Sequence, residues 1–156
     1  VEARARNMLD RGDPGGAAEL LRRAIAREAK TNPRHVNLLG VCEARMGNLD
    51  AARKLFLSVL SDFPEDPAAL TNMGNLAFLE GDHELARRYY GRALQQNLFL
   101  REPRFNLARS YQYMGHFEKA MTAYQDYIEL TRVRRLFRPA LLLLLLLVGL
   151  ALLLGR

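Results

Sequence analysis

The sequence contains a single cysteine, Cys42, and only three histidines. One thiol allows no disulfide within the chain and no cysteine-based metal cluster. A metal site needs three or four ligands on facing elements, but His35 opens a predicted helix, whereas His83 and His116 lie in predicted turns. We therefore expect no metal and no cofactor, and we interpret Cys42 as a small packing residue within a helix.

Signatures of catalysis and of flexible linkers are also missing. The acidic residues are spread along predicted helix faces, and the glycines follow a repeat rather than a phosphate-binding loop. No Gly/Ser-rich or Pro-rich linker interrupts the 156 residues. The sequence thus favours a protein that is not an enzyme, with room for one domain and a tail.

Positive charge is concentrated at the C-terminal end. The chain has a net charge of +6, yet residues 1–131 hold 18 basic and 17 acidic residues. Five arginines and no acid follow from position 132 onward. Because the body is nearly neutral and the excess lies beside an apolar run, nucleic-acid binding is disfavoured and a membrane flank is favoured.

A 34-residue period organises the body of the chain. Several residue types recur in one register, and each has a structural reason: small residues allow two helices to approach, and glycine caps a helix in the left-handed conformation. The matched sets are Gly47, Gly81 and Gly115; Ala52, Ala86 and Ala120; Phe56, Tyr90 and Tyr124; and Leu39-Gly40, Met73-Gly74 and Leu107-Ala108.

This pattern resembles the tetratricopeptide repeat family, whose helical hairpins have the same period. The resemblance implies an all-α, right-handed solenoid of about four hairpins over residues 1–132, with repeats at 33–66, 67–100 and 101–132 and a degenerate one at 1–32. It also implies a concave side formed by the first helix of each hairpin. The residues themselves predict helices at 3–11, 17–31, 34–46, 49–62, 67–80, 83–97, 101–114 and 117–132.

The first repeat departs from this pattern. Residues 12–16 predict a looser turn than in the other hairpins, and Pro33 comes about three residues later than the period requires. The first predicted helix begins close to Val1. These features leave open whether the repeat array begins upstream.

Residues 140–155 predict a single membrane-spanning helix. This run of 16 residues has no polar side chain and includes seven consecutive leucines. It would span roughly 24 Å against about 30 Å of hydrocarbon, and Leu136 and Phe137 can extend it while Arg138 reaches back to the interface. A buried core helix or an in-plane amphipathic helix fits less well because the run has no polar face.

The flanking charge predicts the orientation. A basic juxtamembrane segment at 133–139 precedes the apolar run, and only Arg156 follows it. The positive-inside rule then places the repeats on the cytoplasmic side, or on the periplasmic or another side if a leader has been removed. The flanking arginines are Arg132, Arg134, Arg135 and Arg138.

The resemblance further implies partner contacts on the concave face. Asn72 and Asn106 share one repeat position, with Asn37 one residue out of register, which is similar to the asparagine ladder of peptide-binding family members. Asparagine also simply suits a polar inner face, and both interpretations stay open. The implied partner-binding residues are Arg34, Asn37, Val41, Thr71, Asn72, Asn75, Phe78, Phe105, Asn106, Arg109, Gln112 and Tyr113.

A chaperone-type carboxylate clamp is mostly rejected. Such family members carry lysine, asparagine and basic residues at five clamp positions. The equivalents in this chain are Asn37, Val41, Asn72, Glu102 and Asn106, and only Asn72 fits. The leading hypothesis is therefore a membrane-tethered adaptor or assembly factor that binds a protein or an extended peptide. The alternative is a structural subunit of a multiprotein membrane, secretion or envelope complex, in contact with other membrane subunits.

Overall fold

The computed structural model describes residues 1–132, which form an all-helical solenoid without strands in that range. Consecutive helices pair into antiparallel hairpins that stack on one another. The helices are α1 (Glu2–Asp10), α2 (Pro14–Ile25), α3 (Pro33–Arg45), α4 (Leu49–Asp62), α5 (Pro67–Leu79), α6 (His83–Gln96), α7 (Arg101–Tyr113) and α8 (117–132). This confirms the predicted eight-helix solenoid, whereas its right-handed twist stays a prediction.

The turn inside each hairpin is built on a glycine with positive φ. Gly47, Gly81 and Gly115 have φ values of 87°, 83° and 77°, as the capping interpretation requires. The residue after Gly47 or Gly81 is the N-cap of the second helix, and the Asp82 carboxylate accepts a hydrogen bond from the Leu85 N–H at 2.9 Å. An acceptor at this position satisfies a helix N–H that has no partner within the helix.

The small residues of the repeat make room for aromatic rings. A Cβ added to Gly40 would lie 2.4 Å from the Phe56 ring, and one added to Gly74 would lie 2.5 Å from the Tyr90 ring. Phe56 and Tyr90 are each 1% exposed. The 34-residue period therefore reflects steric pairing of a glycine in the middle of the first helix with an aromatic ring in the middle of the second.

Each hairpin buries its apolar face against its neighbours. Phe56 of α4 packs with Met73 and Leu76 of α5, which joins the second and third hairpins. Leu9 of α1 and Leu38 of α3 belong to one cluster that joins the first two. The core is thus a continuous strip between stacked hairpins, as repeat architectures require.

The prediction of a helix at 17–31 was wrong at both ends. The helix begins at Pro14 because the Asp13 carboxylate accepts a hydrogen bond from the Gly16 N–H and proline suits the first helical turn. It ends at Ile25, and a non-helical segment then leads to Pro33. Residues 12–16 are also not a looser turn, since Gly12 has a φ of 82° and takes the same role as the other turn glycines.

The predicted juxtamembrane segment at 133–139 and the predicted spanning helix at 140–155 lie outside the described residues. Within 1–132, no helix is both long enough and apolar enough to cross a membrane. Arg132, the first of the flanking arginines and the last described residue, is exposed on α8.

Candidate partner-binding groove

The first helices of successive hairpins line an open groove. Its volume is about 970 Å³, at the upper end of the range for small-molecule sites. The walls come from α1, α3, α5 and the start of α7. The lining residues are Glu2, Arg6, Leu9, Asp10, Arg34, Asn37, Leu38, Val41, Ala44, Arg45, Phe56, Asp66, Pro67, Ala68, Thr71, Asn72, Asn75, Leu76, Leu79, Leu100, Arg101, Glu102 and Pro103.

Charges of both signs balance in this groove. Its lining contains four arginines and four acids, and several are already engaged with protein groups. Arg6 pairs with Glu2 at 2.9 Å, and the Arg45 guanidinium donates to the Leu9 carbonyl at 2.9 Å. The formal charge of the lining residues is therefore zero, and the rejection of a carboxylate clamp stays a prediction.

Two predicted contact residues in the groove hold the scaffold together. The Asn37 amide donates to the Asp66 carboxylate at 3.0 Å, and that same carboxylate caps α5 by accepting from the Ala69 N–H at 2.7 Å. The Thr71 hydroxyl donates to the Pro67 carbonyl one turn earlier. Both residues are 5% exposed, so they position α5 and contribute little accessible surface to the groove that they line.

Asn75 is the centre of a hydrogen-bond network between the third and fourth hairpins. Its carboxamide oxygen accepts from the Tyr90 hydroxyl and from the Asn106 amide, each at 2.9 Å. Its own amide donates to the Glu102 carboxylate at 3.0 Å. Burial raises the pKa of Tyr90, so its hydroxyl stays protonated and continues to donate.

Asn72 differs from the other asparagines of the concave side. It lines the groove and is half-buried. Among residues 1–132, its side chain has no hydrogen-bond partner, whereas Asn106 at the same repeat position is engaged with Asn75. The two residues that the sequence grouped as a ladder therefore have different environments, and only Asn72 has its amide available.

Arg34 and Val41 are the remaining predicted residues that line the groove. Arg34 is exposed at the start of α3, where its backbone N–H donates to the Asn32 side chain at 3.0 Å. Val41 is half-buried and packs against the core clusters on either side. Whether these side chains contact a partner stays a prediction.

The other half of the predicted contact set lies away from the groove, on the last two hairpins. The Arg109 guanidinium stacks 4.5 Å from the Phe78 ring, and Tyr113 meets that ring edge-on at 5.2 Å. The residues of this half are Phe78, Phe105, Asn106, Arg109, Gln112 and Tyr113, none of which lines the groove.

Two of these side chains pack against α8. The Phe105 ring lies 5.6 Å from the Tyr124 ring, and Gln112 accepts a hydrogen bond from the Tyr124 hydroxyl at 3.0 Å. The predicted contact residues therefore divide between the groove and an aromatic cluster on the last two described hairpins.

Sequence reasoning missed the contribution of α1 to the groove. Glu2, Arg6, Leu9 and Asp10 line it, although the first repeat looked degenerate. The available signal was Gly12, which lies 35 residues before Gly47 and marks a turn of the same kind. The one-residue offset arises because α2 is two residues shorter than α4, while the segment before α3 is three residues longer than the one before α5.

No group of three metal-ligating side chains converges within 1–132. Cys42 is fully buried, and burial raises the pKa of its thiol, which fits its interpretation as a packing residue. His35 contacts Glu28, which ties the start of α3 to the segment after α2.

The outer face of α8 carries exposed apolar side chains. Phe117, Met121 and Ile128 are 67%, 63% and 58% exposed and lie on one side of the helix. The residue one period before Ile128 is Leu94, which is only 8% exposed. At this position, the last described hairpin exposes a side chain whose equivalent in the preceding hairpin is buried.

Structural comparison shows the same fold in several solved proteins. A crystal structure of MamA matches with a TM-score of 0.68 and 16% identity over 86% of this chain and 73% of that one. The structure of MamA AMB-1 matches with a TM-score of 0.63 and 19% identity, over 83% of this chain and 70% of that one. A tetratricopeptide repeat protein from Parabacteroides merdae matches with a TM-score of 0.66 and 23% identity, over 83% of this chain and 52% of that one. Comparison with curated proteins finds no match.

Family models described as tetratricopeptide repeat match residues 8–76, 67–98 and 102–133. Together they cover nearly all of the described solenoid, including most of the first hairpin. Proteins of this kind provide interaction surfaces for other proteins, and the MamA-like structures are similar to this chain in fold. With the glycine turns, the steric pairs and the stacked hairpins, these matches show that the chain belongs to the tetratricopeptide repeat family.

Proposed function

We propose that this protein is a non-catalytic adaptor that binds an extended segment of a partner protein in the groove between α1, α3 and α5. The observation that carries the proposal is Asn72, a groove-lining amide without a hydrogen-bond partner among the described residues. An amide can donate to a peptide carbonyl and accept from a peptide N–H. A partner backbone would supply both groups at once.

The groove also offers apolar side chains to a partner segment. Val41 and Leu79 line it, Val41 is half-buried, and Leu79 is 67% exposed. Covering such side chains contributes about 25 cal/mol per Å² of apolar area removed from water. Because the charges of the groove balance, we expect apolar contacts and backbone hydrogen bonds to supply most of the affinity.

Site-specific crosslinking tests the groove. A photoreactive phenylalanine analogue at Leu79 should crosslink a partner in cells, whereas the same analogue at Leu57 should not. Leu57 is a matched control because it is 46% exposed on α4 and lies outside the groove. Asn72→Ala should reduce the Leu79 crosslink. Equal crosslinking from both positions would contradict binding in the groove.

We also propose that residues 133–156 tether the protein to a membrane, with the repeats on the cytoplasmic side. The support is the sequence: an apolar run of 16 residues preceded by arginines. Deletion of 133–156 should release the protein from the membrane pellet at high salt, while the full chain remains. A deletion variant that stays in the pellet under these conditions contradicts the tether.

The second candidate is a built-in subunit of a multiprotein membrane complex. The exposed apolar face of α8 favours it, since a face with Phe117, Met121 and Ile128 is suited to permanent burial against a neighbour. Purification of the full chain in mild detergent separates the candidates. A fixed stoichiometric complex that survives high salt favours the subunit, and partners lost with salt favour the adaptor.

A further inference from the structure

The loop between α6 and α7 exposes two large apolar side chains. Leu98 is 63% exposed and Phe99 is 73% exposed. One repeat earlier, the same positions hold Pro64 and Glu65. The fold therefore does not require apolar residues here, and these two gain nothing from the core of the described solenoid.

Hydrogen bonds fix this loop to the rest of the last hairpin. The Asn97 side chain accepts from the Phe99 N–H at 2.9 Å, which orders the turn. The Arg104 guanidinium donates to the Leu98 carbonyl and also lies 3.6 Å from the Asp126 carboxylate of α8. The apolar pair is thus held in place next to the C-terminal half of α8.

The loop lies at the edge of the solenoid from which the chain leaves the repeats. Because the helices of each hairpin are antiparallel, all loops between hairpins share one edge, and all turns within hairpins share the other. Phe63, 45% exposed after α4, lies on the same edge as the 97–100 loop. Residue 132, the last described residue of α8, lies there too, one period after Leu98, and the arginine-rich segment and apolar run follow it in the sequence.

We propose that this edge, which we call the loop edge (Phe63, Leu98, Phe99 and Arg132), rests on the lipid bilayer, with Leu98 and Phe99 inserted among the headgroups. The proposal rests on the membrane tether proposed above. A tether at residue 133 brings this edge closer to the membrane than the turn edge, where α8 begins at residue 117. Leucine and phenylalanine are side chains that stabilise proteins lying in the interface.

Charge at the loop edge has both signs, since Asp62 and Glu129 are exposed beside the arginines. Glu65 pairs with Arg92 at 2.6 Å, and Asp66 is engaged in capping α5. Arg101 and Arg132 are exposed there, and further arginines follow at 134, 135 and 138. The combination of apolar insertion and nearby arginines suits a surface of anionic lipid. It would also fix the direction in which the groove faces relative to the membrane.

The absence of tryptophan allows a direct test on the full chain. Phe99→Trp places a single fluorophore at the loop edge, and Phe117→Trp places one at the turn edge. Phe117 is a matched control because it is 67% exposed, close to the value for Phe99. Each variant is reconstituted into vesicles of phosphatidylcholine and phosphatidylserine, with and without brominated acyl chains. Circular dichroism and flotation check folding and membrane association.

We expect the emission of Phe99→Trp to shift to the blue in vesicles and to lose intensity with brominated lipid, while Phe117→Trp shows neither change. If the chain floats with vesicles but Phe99→Trp is not quenched, or both variants are quenched equally, the loop-edge proposal is wrong and the tether stands. If the full chain does not float at all, the tether itself is wrong, and the loop-edge proposal with it.

Discussion

The side-chain amide of Asn106 donates to the carboxamide oxygen of Asn75 at 2.9 Å, which ties α7 to α5 across two hairpins. Asn106 shares its repeat position with Asn72, but the two residues have different roles. Asn106 holds the stack together, whereas Asn72 has its amide available in the groove. A double substitution of both asparagines would therefore mix a loss of stability with a loss of binding.

Replacing Asn106 with alanine should lower the free energy of unfolding by about 1–2 kcal/mol, because the Asn75 oxygen loses one of its two donors in a half-buried site. Urea unfolding followed by circular dichroism measures the change. Asn72→Ala is the control and should unfold within about 0.5 kcal/mol of the wild type. Equal destabilisation by the two substitutions would contradict the distinction drawn between them.

Gly74→Ala should destabilise the solenoid by about 1–3 kcal/mol, since the new methyl group would lie 2.5 Å from the Tyr90 ring and would force the hairpin apart. Gly91→Ala is the matched control. Gly91 lies within α6, and a Cβ there meets no atom within 4 Å. That substitution should instead stabilise the protein by about 0.5–1 kcal/mol, as alanine does in a helix interior. If Gly91→Ala also destabilised the protein, the loss in Gly74→Ala could not be assigned to the contact with the Tyr90 ring.

Alkaline unfolding should depend on Tyr90. Burial raises its folded pKa above the unfolded value, so the protonated hydroxyl contributes stability that is fully present below about pH 10 and is lost as the pH rises further. The free energy of unfolding of the wild type should therefore fall more steeply above about pH 10 than that of Tyr90→Phe. The comparison is made by urea unfolding at a series of pH values. Parallel pH profiles for the two proteins would exclude Tyr90 as the cause.

Asp13→Ala should lower the free energy of unfolding by about 0.5–2 kcal/mol because the Gly16 N–H loses its acceptor at the start of α2. Asp13→Ser retains an oxygen at that position and should recover most of the loss. Thermal unfolding of the three proteins measures the effect. A serine variant as unstable as the alanine variant would show that Asp13 acts through its charge rather than as a cap.

The sequence alone predicted most of the fold. Gly47, Gly81 and Gly115 mark the turns because their positive φ is a local demand of the chain, independent of distant neighbours. The small residues facing Phe56 and Tyr90 are likewise readable, since both partners lie within one hairpin at a fixed separation. The helices from α3 to α7 accordingly agree with prediction to within one residue at each end, and α8 begins at 117 as predicted.

Only the tertiary structure determined where α2 starts, that α1 lines the groove, and which hydrogen bonds each asparagine makes. The bonds from Asn37 to Asp66 and from Asn106 to Asn75 join side chains 29 and 31 residues apart, between different hairpins. Their existence depends on how far one hairpin is rotated against the next. A 34-residue period states which positions are equivalent, but only the stacking of hairpins determines which equivalent side chains are engaged and which remain free to bind.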